Sequence, residues 1–171
     1  MKRTQFSDDI CPIARTTNLM GDSWTPIILR EFLAGPRRFE QLQERLGVSR
    51  ATLSQRLERL VAEGFLERIE YQPHPPRFEY SLTEKGNAFW GVLAAMWAFG
   101  DQWLFGDSGA SIVLKDRETG RVVHPIVVDA GTNVAIDVRK VRLGFASGAR
   151  KSDQTSTVKQ PAVPAPSMLP G

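Results

Sequence analysis

One short stretch concentrates side chains that can meet phosphates and base edges. Between residues 49 and 59 the chain places Ser49, Arg50, Thr52, Ser54, Gln55, Arg56 and Arg59. Glutamine can read adenine and arginine can read guanine through paired hydrogen bonds, while serine and threonine suit phosphates or base edges. Leu53, Leu57, Leu60 and Val61 fall at i, i+4, i+7 and i+8 of the same stretch, so a helix there would have one apolar stripe. At 100° per residue the opposite arc holds Ala51, Thr52, Gln55 and Arg59, with Arg50, Ser54 and Arg56 on its flanks. A polar outer face is also what any solvated amphipathic helix presents, so the helix alone does not settle the chemistry.

The other reactive candidates are few. Cys11 precedes Pro12 at a helix start, where the helix dipole favours a thiolate; Arg15 lies one turn on, and Asp8 and Asp9 oppose it. The same placement suits an ordinary, unreactive cysteine. With one cysteine in the chain an internal disulfide is excluded, and two histidines add too few ligands for a structural zinc site, so no metal or cofactor is expected. No glycine-rich phosphate loop or Ser/His/Asp pattern is present, so the sequence does not read as an enzyme.

The elements that must position these residues follow from periodicity and capping. Helices are predicted over Pro12–Met20, Trp24–Leu33, Phe39–Leu46 and Arg50–Glu63, with Asp22-Ser23 and Ser49 as caps and Gly35-Pro36, Gly47 and Gly64 as stops. The pair Phe39–Leu46 and Arg50–Glu63, joined by three residues beginning with glycine, has helix-turn-helix spacing, in which the second helix lies in the major groove. FLERIEY and RFEYSL then alternate as two strands around Gln72–Pro76, a hairpin wing whose tip carries His74 and Arg77; Arg77 is a further DNA-contact candidate. Thr83 caps a predicted last helix running to about Leu104.

That last helix is apolar nearly all round. Phe89, Leu93, Met96, Trp97 and Trp103, with Ile13 from the first helix, are therefore expected to meet a second copy of the chain. Beyond it the composition changes twice. Residues 106–145 contain strand-like runs, IVLKD, VVHPIVV and VAIDVRKVRL, and form an expected small β-rich appendage; residues 146–171 are rich in Ser, Lys, Ala and Pro and are expected to be disordered. The predicted fold class is thus mainly α with a β-hairpin wing (α+β) over residues 1–105, followed by this appendage and tail.

Charge does not announce nucleic acid binding. The net charge of +3 arises from 13 basic and 13 acidic residues in 1–105, 3 and 5 in 106–138, and 6 and 1 in 139–171. The excess lies in the tail, where Arg139, Lys140, Arg142, Arg150 and Lys151 could add sequence-blind affinity or merely solubility. The N-terminus has no apolar signal region, and no uncharged run reaches the roughly 20 residues that cross a bilayer. A soluble, cytoplasmic protein without a membrane partner is expected.

Three stretches, CPIARTTNLMGDSWTPIILREFLAGPRRFEQLQERL, SRATLSQRLERLVAEGFLER and PPRFEYSLTEKG, make the chain resemble the HxlR-type winged helix-turn-helix transcriptional regulators, a group related to the MarR regulators. The resemblance covers residues 11 to about 104. It implies a homodimer on a pseudo-palindromic site in double-stranded DNA, most simply a repressor, with Arg50–Glu63 as reading helix and Gln72–Arg77 as wing. It also matches Cys11 to the N-terminal cysteine with which several such regulators sense oxidants or electrophiles, and so implies an oxidant or small-molecule effector. The appendage fits a more distant resemblance to the zinc-ribbon-like modules of some members, with Thr119, Asp129 and Thr132 where sulfur ligands would stand and an expected apolar core of Ile112, Leu114, Val123, Ile126, Val128 and Val138. The rival reading is a winged helix used for protein–protein contacts without specific DNA binding, since fold does not fix function.

Overall fold

The computed structural model describes residues 6, 10–106, 109–142, 144 and 146–147. The expected tail, with Arg150 and Lys151, falls almost wholly outside the described residues. The chain divides into two units, one reaching to Ala135 and one beginning at Ile136.

In the first unit the elements run α1 (Pro12–Met20), α2 (Trp24–Glu31), a 3-10 turn (Phe32–Ala34), β1 (Arg37–Arg38), α3 (Phe39–Leu46), α4 (Arg50–Ala62), β2 (Leu66–Pro73), β3 (Pro76–Leu82), α5 (Glu84–Ala88) and α6 (Trp90–Trp103). Side chains cap the starts of three of these helices. Ser49 Oγ accepts from Thr52 N at 3.2 Å, and Thr83 Oγ1 accepts from Gly86 N at 3.1 Å. At α2 the cap is Asp22, whose Oδ1 accepts from Trp24 N (2.8 Å) and Thr25 N (3.0 Å); Ser23 makes no cap bond. Gly47, at φ +62°, turns the chain between α3 and α4 in a conformation that costs most side chains energy.

The core forms where the apolar stripes of these helices meet. Ile28, Leu29 and Phe32 pack with Leu42, Leu53, Leu57, Leu60, Phe65, Leu66 and Phe89. The stripe expected on α4 is therefore inside, with Val61 at its edge. The hairpin and β1 form a three-stranded antiparallel sheet in the order β1-β3-β2, with Tyr80 paired to both Arg37 and Arg68. This is the winged helix-turn-helix arrangement.

Two expectations are corrected here. The last helix is divided at Phe89, where the hydrogen bonds are shared between three- and four-residue spacing: its N donates to both Gly86 O and Lys85 O, and its O accepts from both Val92 N and Leu93 N. Phe89 itself is buried, its ring edge-on to Phe65 at 5.4 Å, so it belongs to the core rather than to a face that meets another subunit. Among the described residues after α6 the strand pairing is limited to two isolated antiparallel bridges, Lys115–Val122 and Val128–Ala135. The core expected for this segment does not assemble: Ile112, Ile126 and Val128 are exposed, and Leu114 and Val123 are half-buried. The side chain of Val138 lies outside the described set, and His124 is exposed.

What organises the segment instead is a pair of similar turns. Asp116 Oδ1 accepts from the N–H groups of Glu118 and Thr119 and from Thr119 Oγ1, and Asp129 Oδ1 does the same for Gly131, Thr132 and Thr132 Oγ1. These bonds, chiefly those from Thr119 and Thr132, hold both carboxyls below the ordinary value. Among the described residues no group of acidic, histidine and cysteine side chains is arranged to hold a metal, and no helix is long and apolar enough to cross a membrane.

Candidate nucleic-acid interface

Between the N-terminal ends of α3 and α4 and the inner side of the wing lies a groove of about 730 Å3. Arg38, Arg50, Arg68 and Arg77 line it together with Glu40, a local balance of four positive charges against one. Three of the guanidinium groups are seated on aromatic rings: Arg38 over Tyr71 at 4.2 Å, Arg50 over Phe39 at 4.8 Å, and Arg68 over Phe78 at 3.5 Å. A guanidinium stacked by its face keeps its N–H groups at the edge, where a phosphate can take two of them at once. The rings also limit the freedom each long side chain would lose on meeting a ligand.

Tyr80 sits on the same wall. Burial pushes its phenol up, Arg68 pulls it partly back, and Glu58 and Glu40 add to the rise, so it stays a neutral hydroxyl donor at physiological pH. Ser54 faces the groove from α4, and α4 begins at its edge, so the unpaired first-turn amides of that helix add to the positive field.

The residues expected to contact DNA occupy different environments. Arg50 and Gln55 are exposed on α4, Ser54 is half-buried at the groove, and Arg77 is exposed on β3. Ser49 and Thr52 are engaged mainly with each other, their hydroxyls 2.9 Å apart.

Arg56 and Arg59 do not face outward as the helical arc suggested. Arg56 Nη1 reaches Asp22 Oδ2 at 3.2 Å and Arg59 Nη1 reaches the same oxygen at 3.5 Å, while Arg59 Nη2 donates to the carbonyls of Asn18 and Leu19. Both tie α4 to Asp22 in the loop between α1 and α2, and Arg59 also to the last turn of α1. A second ion pair holds the other end of α2, where Arg45 of α3 meets buried Glu31 at 2.5 Å and Arg30 meets it at 2.8 Å. Burial alone would raise Glu31; hydrogen bonds from Arg45 and Arg30, and their charges, outweigh it and hold the carboxyl below 4.5.

Arg38, Arg68 and Tyr71 were not selected from the sequence. Strand alternation puts Arg68 and Tyr71 on opposite faces, but β2 carries a register shift between Glu70 and Gln72 that leaves Tyr71 as the extra residue. The bulge brings Tyr71 to the side of Arg68. At the wing tip, Gln72 Nε2 donates to the carbonyls of His74 and Pro75, so the turn is closed by its own residues and His74 is exposed.

The residues proposed for a subunit contact also divide. Ile13, Met96 and Trp103 are exposed, with Phe99 and Leu104 beside them. Leu93 and Trp97 are half-buried and turn toward a cleft against α2. Cys11 is the N-cap residue of α1 and partly buried.

Comparison with known proteins agrees with this geometry. Residues 19–107 match the family model described as HxlR-like helix-turn-helix. A Mycobacterium tuberculosis protein named as an uncharacterized HTH-type transcriptional regulator, Rv3095, is 36% identical over 129 residues, 75% of this chain and 82% of its own. That is more residues than the winged helix contains, so the likeness continues into the following segment. The solved structure of PA1607, a candidate transcription factor, superposes with a TM-score of 0.75 at 27% identity, covering 84% of this chain and all of its own. The redox regulator HypR in its reduced form superposes with a TM-score of 0.50 at 28% identity, over 53% of this chain and 90% of its own.

Proposed function

Because the chain belongs to the HxlR-like helix-turn-helix family of transcriptional regulators, we propose that it is a homodimeric, sequence-specific DNA-binding repressor that blocks transcription by occupying its operator. The observation that carries this reading is the groove in which Arg38, Arg50, Arg68 and Arg77 converge beside the start of α4. Phosphates of one strand fit that groove, held by the stacked arginines and the Tyr80 hydroxyl. With the backbone so placed, α4 enters the major groove, and Gln55, exposed on its outer face, is the side chain free to address base edges, with Ser54 beside it. Ser49 and Thr52 form the cap that keeps the helix start in place.

The dimer reading rests on the apolar side chains left exposed at α1 and the end of α6, Ile13, Met96, Phe99 and Trp103. Joining two copies across these ends gives two reading helices related by a two-fold axis, which demands an inverted-repeat site. Selection of bound fragments from genomic DNA with the purified protein tests the reading. Half-sites about one helical turn apart are expected, and Gln55→Ala should relax preference at one position in each half-site. Uniform, sequence-blind recovery would reject the regulator reading in favour of a protein-binding winged helix.

The likeness to a redox regulator favours a further role for Cys11 at the head of α1. In this reading an oxidant such as hydrogen peroxide takes two electrons and two protons from the Cys11 thiols of two subunits, forming one disulfide across the dimer and releasing water. Cys11→Ser should abolish any oxidant-induced change in operator affinity. An unchanged response in that variant would remove cysteine from the mechanism.

A further inference from the structure

A second cleft lies on the far side of α2 from the reading helix. Pro26, Ile27 and Arg30 of α2 form one wall, Trp90, Leu93 and Trp97 of α6 a second, and Phe105 with Ile112 closes the end, around a volume of about 440 Å3. The walls are mainly apolar, and the size lies within the range of small-molecule sites, roughly 300–1,000 Å3. It is too confined for a partner helix, about 10 Å wide with its side chains. Trp90 and Trp97, seven residues and two turns apart, share one face of α6 and offer two indole planes. Arg30 and Asp101 contribute one charge of each sign, so the interior selects for ring surface rather than for net charge.

The cleft exists because the chain after α6 folds back. Arg117 Nη2 donates to the Leu33 carbonyl within the 3-10 turn, which holds the segment over α2 and α6 without filling the space beneath. A neighbouring cavity of about 550 Å3 shares Leu33, Trp90 and Leu93 with it.

We propose that this cleft binds an uncharged, planar aromatic small molecule, and that its occupancy is transmitted to DNA through α2. The transmission rests on the reading of the chain as a DNA-binding regulator. α2 suits it because it is ion-paired at both ends to the helix-turn-helix: Asp22 at its start to Arg56 and Arg59 of α4, and Glu31 at its end to Arg45 of α3. Ile28 and Leu29 on its inner face are buried in the core. A ring pressed against Ile27 therefore bears on a helix that both DNA-proximal helices are tied to.

The test uses the full chain and N-phenyl-1-naphthylamine, whose lack of charge keeps it out of the arginine groove. Its fluorescence should rise to saturation at one dye per chain, with tryptophan emission quenched. Gly100→Leu would fill the cleft, since a Cβ at Gly100 meets only Leu104 Cδ1 at 4.0 Å. Ile112→Asp would place a charge on an exposed part of its rim. Each should weaken dye binding by about ten-fold or more with melting and sedimentation unchanged. Wild-type dye affinity in both folded variants would overturn the site. Conversion of a dimer to a monomer by either variant would assign the cleft to contact between copies and overturn the small-molecule reading. In a protein that binds its operator, saturating dye should change DNA affinity about five-fold or more, and not in Gly100→Leu; an unchanged affinity in the wild type would overturn the coupling. The dye arm contains no DNA, so it decides the cleft even if the regulator reading fails.

Discussion

Asp22 does two separable jobs, and two substitutions at this position pull them apart. Its Oδ1 caps α2 through Trp24 N and Thr25 N, and its Oδ2 pairs with Arg56 and Arg59. A lost side-chain cap costs about 1 kcal/mol. The pairs lie between the surface and buried cases, with Asp22 13% exposed and the arginines 25% and 29% exposed. Breaking them is therefore worth about 1–2 kcal/mol, above the surface value and below the 3–5 of a fully buried pair. Asp22→Asn keeps an oxygen for both amides and removes only the charge, so it should cost about 1–2 kcal/mol. Asp22→Ala removes both and should cost about 2–3 kcal/mol. Urea unfolding at one fixed protein concentration reads both values, since the stability of any self-associating chain varies with concentration. Equal losses in the two variants would show that the cap contributes nothing. A wild-type midpoint for Asp22→Asn would show that the ion pairs do not hold α4.

Gly86→Ala should destabilise by about 2–3 kcal/mol in the same assay, because an added Cβ would stand 2.2 Å from the Phe65 carbonyl oxygen, a backbone atom that cannot swing away. Glu31→Gln should cost about 1–2 kcal/mol at neutral pH, the buried-pair value reduced because Arg30 and Arg45 are themselves well exposed. Its pH dependence has a defined sign. The Glu31 carboxyl is lowered in the folded chain, so its contribution is complete above 4.5 and is lost as pH falls through the lower folded value. The wild-type urea midpoint should therefore fall more steeply below pH 4.5 than that of Glu31→Gln; parallel curves would refute the assignment.

The parts of the fold that were legible are those governed by local periodicity. The bounds of α1 and α3 and the start of α4 follow from Pro12, Gly47 and Ser49, and the wing follows from alternation flanked by prolines. The failures have a common cause, partners distant in sequence. Arg56 and Arg59 lie on the outer half of a helical wheel, but Asp22 at the head of α2 draws them aside. Phe89 looked like surface on an all-apolar helix until Phe65 gave it a place in the core. Tyr71 drew no assignment, because simple alternation separates it from Arg68 and no local rule reveals the bulge that brings them together. In the segment after α6, β-branched runs suggested strands, whereas among the described residues Asp116 and Asp129 form turns each flanked by a single bridge.

The most direct test of the account is the salt dependence of operator affinity, measured by fluorescence anisotropy for the wild type, Arg68→Ala and Arg56→Ala. Each phosphate contact contributes about 0.9 to the slope of log affinity against log salt, so in the proposed dimer a substitution that removes one contact from each subunit should lower it by about 1.8. The account predicts that change for Arg68→Ala, stacked on Phe78 in the groove, and a wild-type slope for Arg56→Ala, which Asp22 holds. A slope unaltered by Arg68→Ala, or lowered instead by Arg56→Ala, would contradict it.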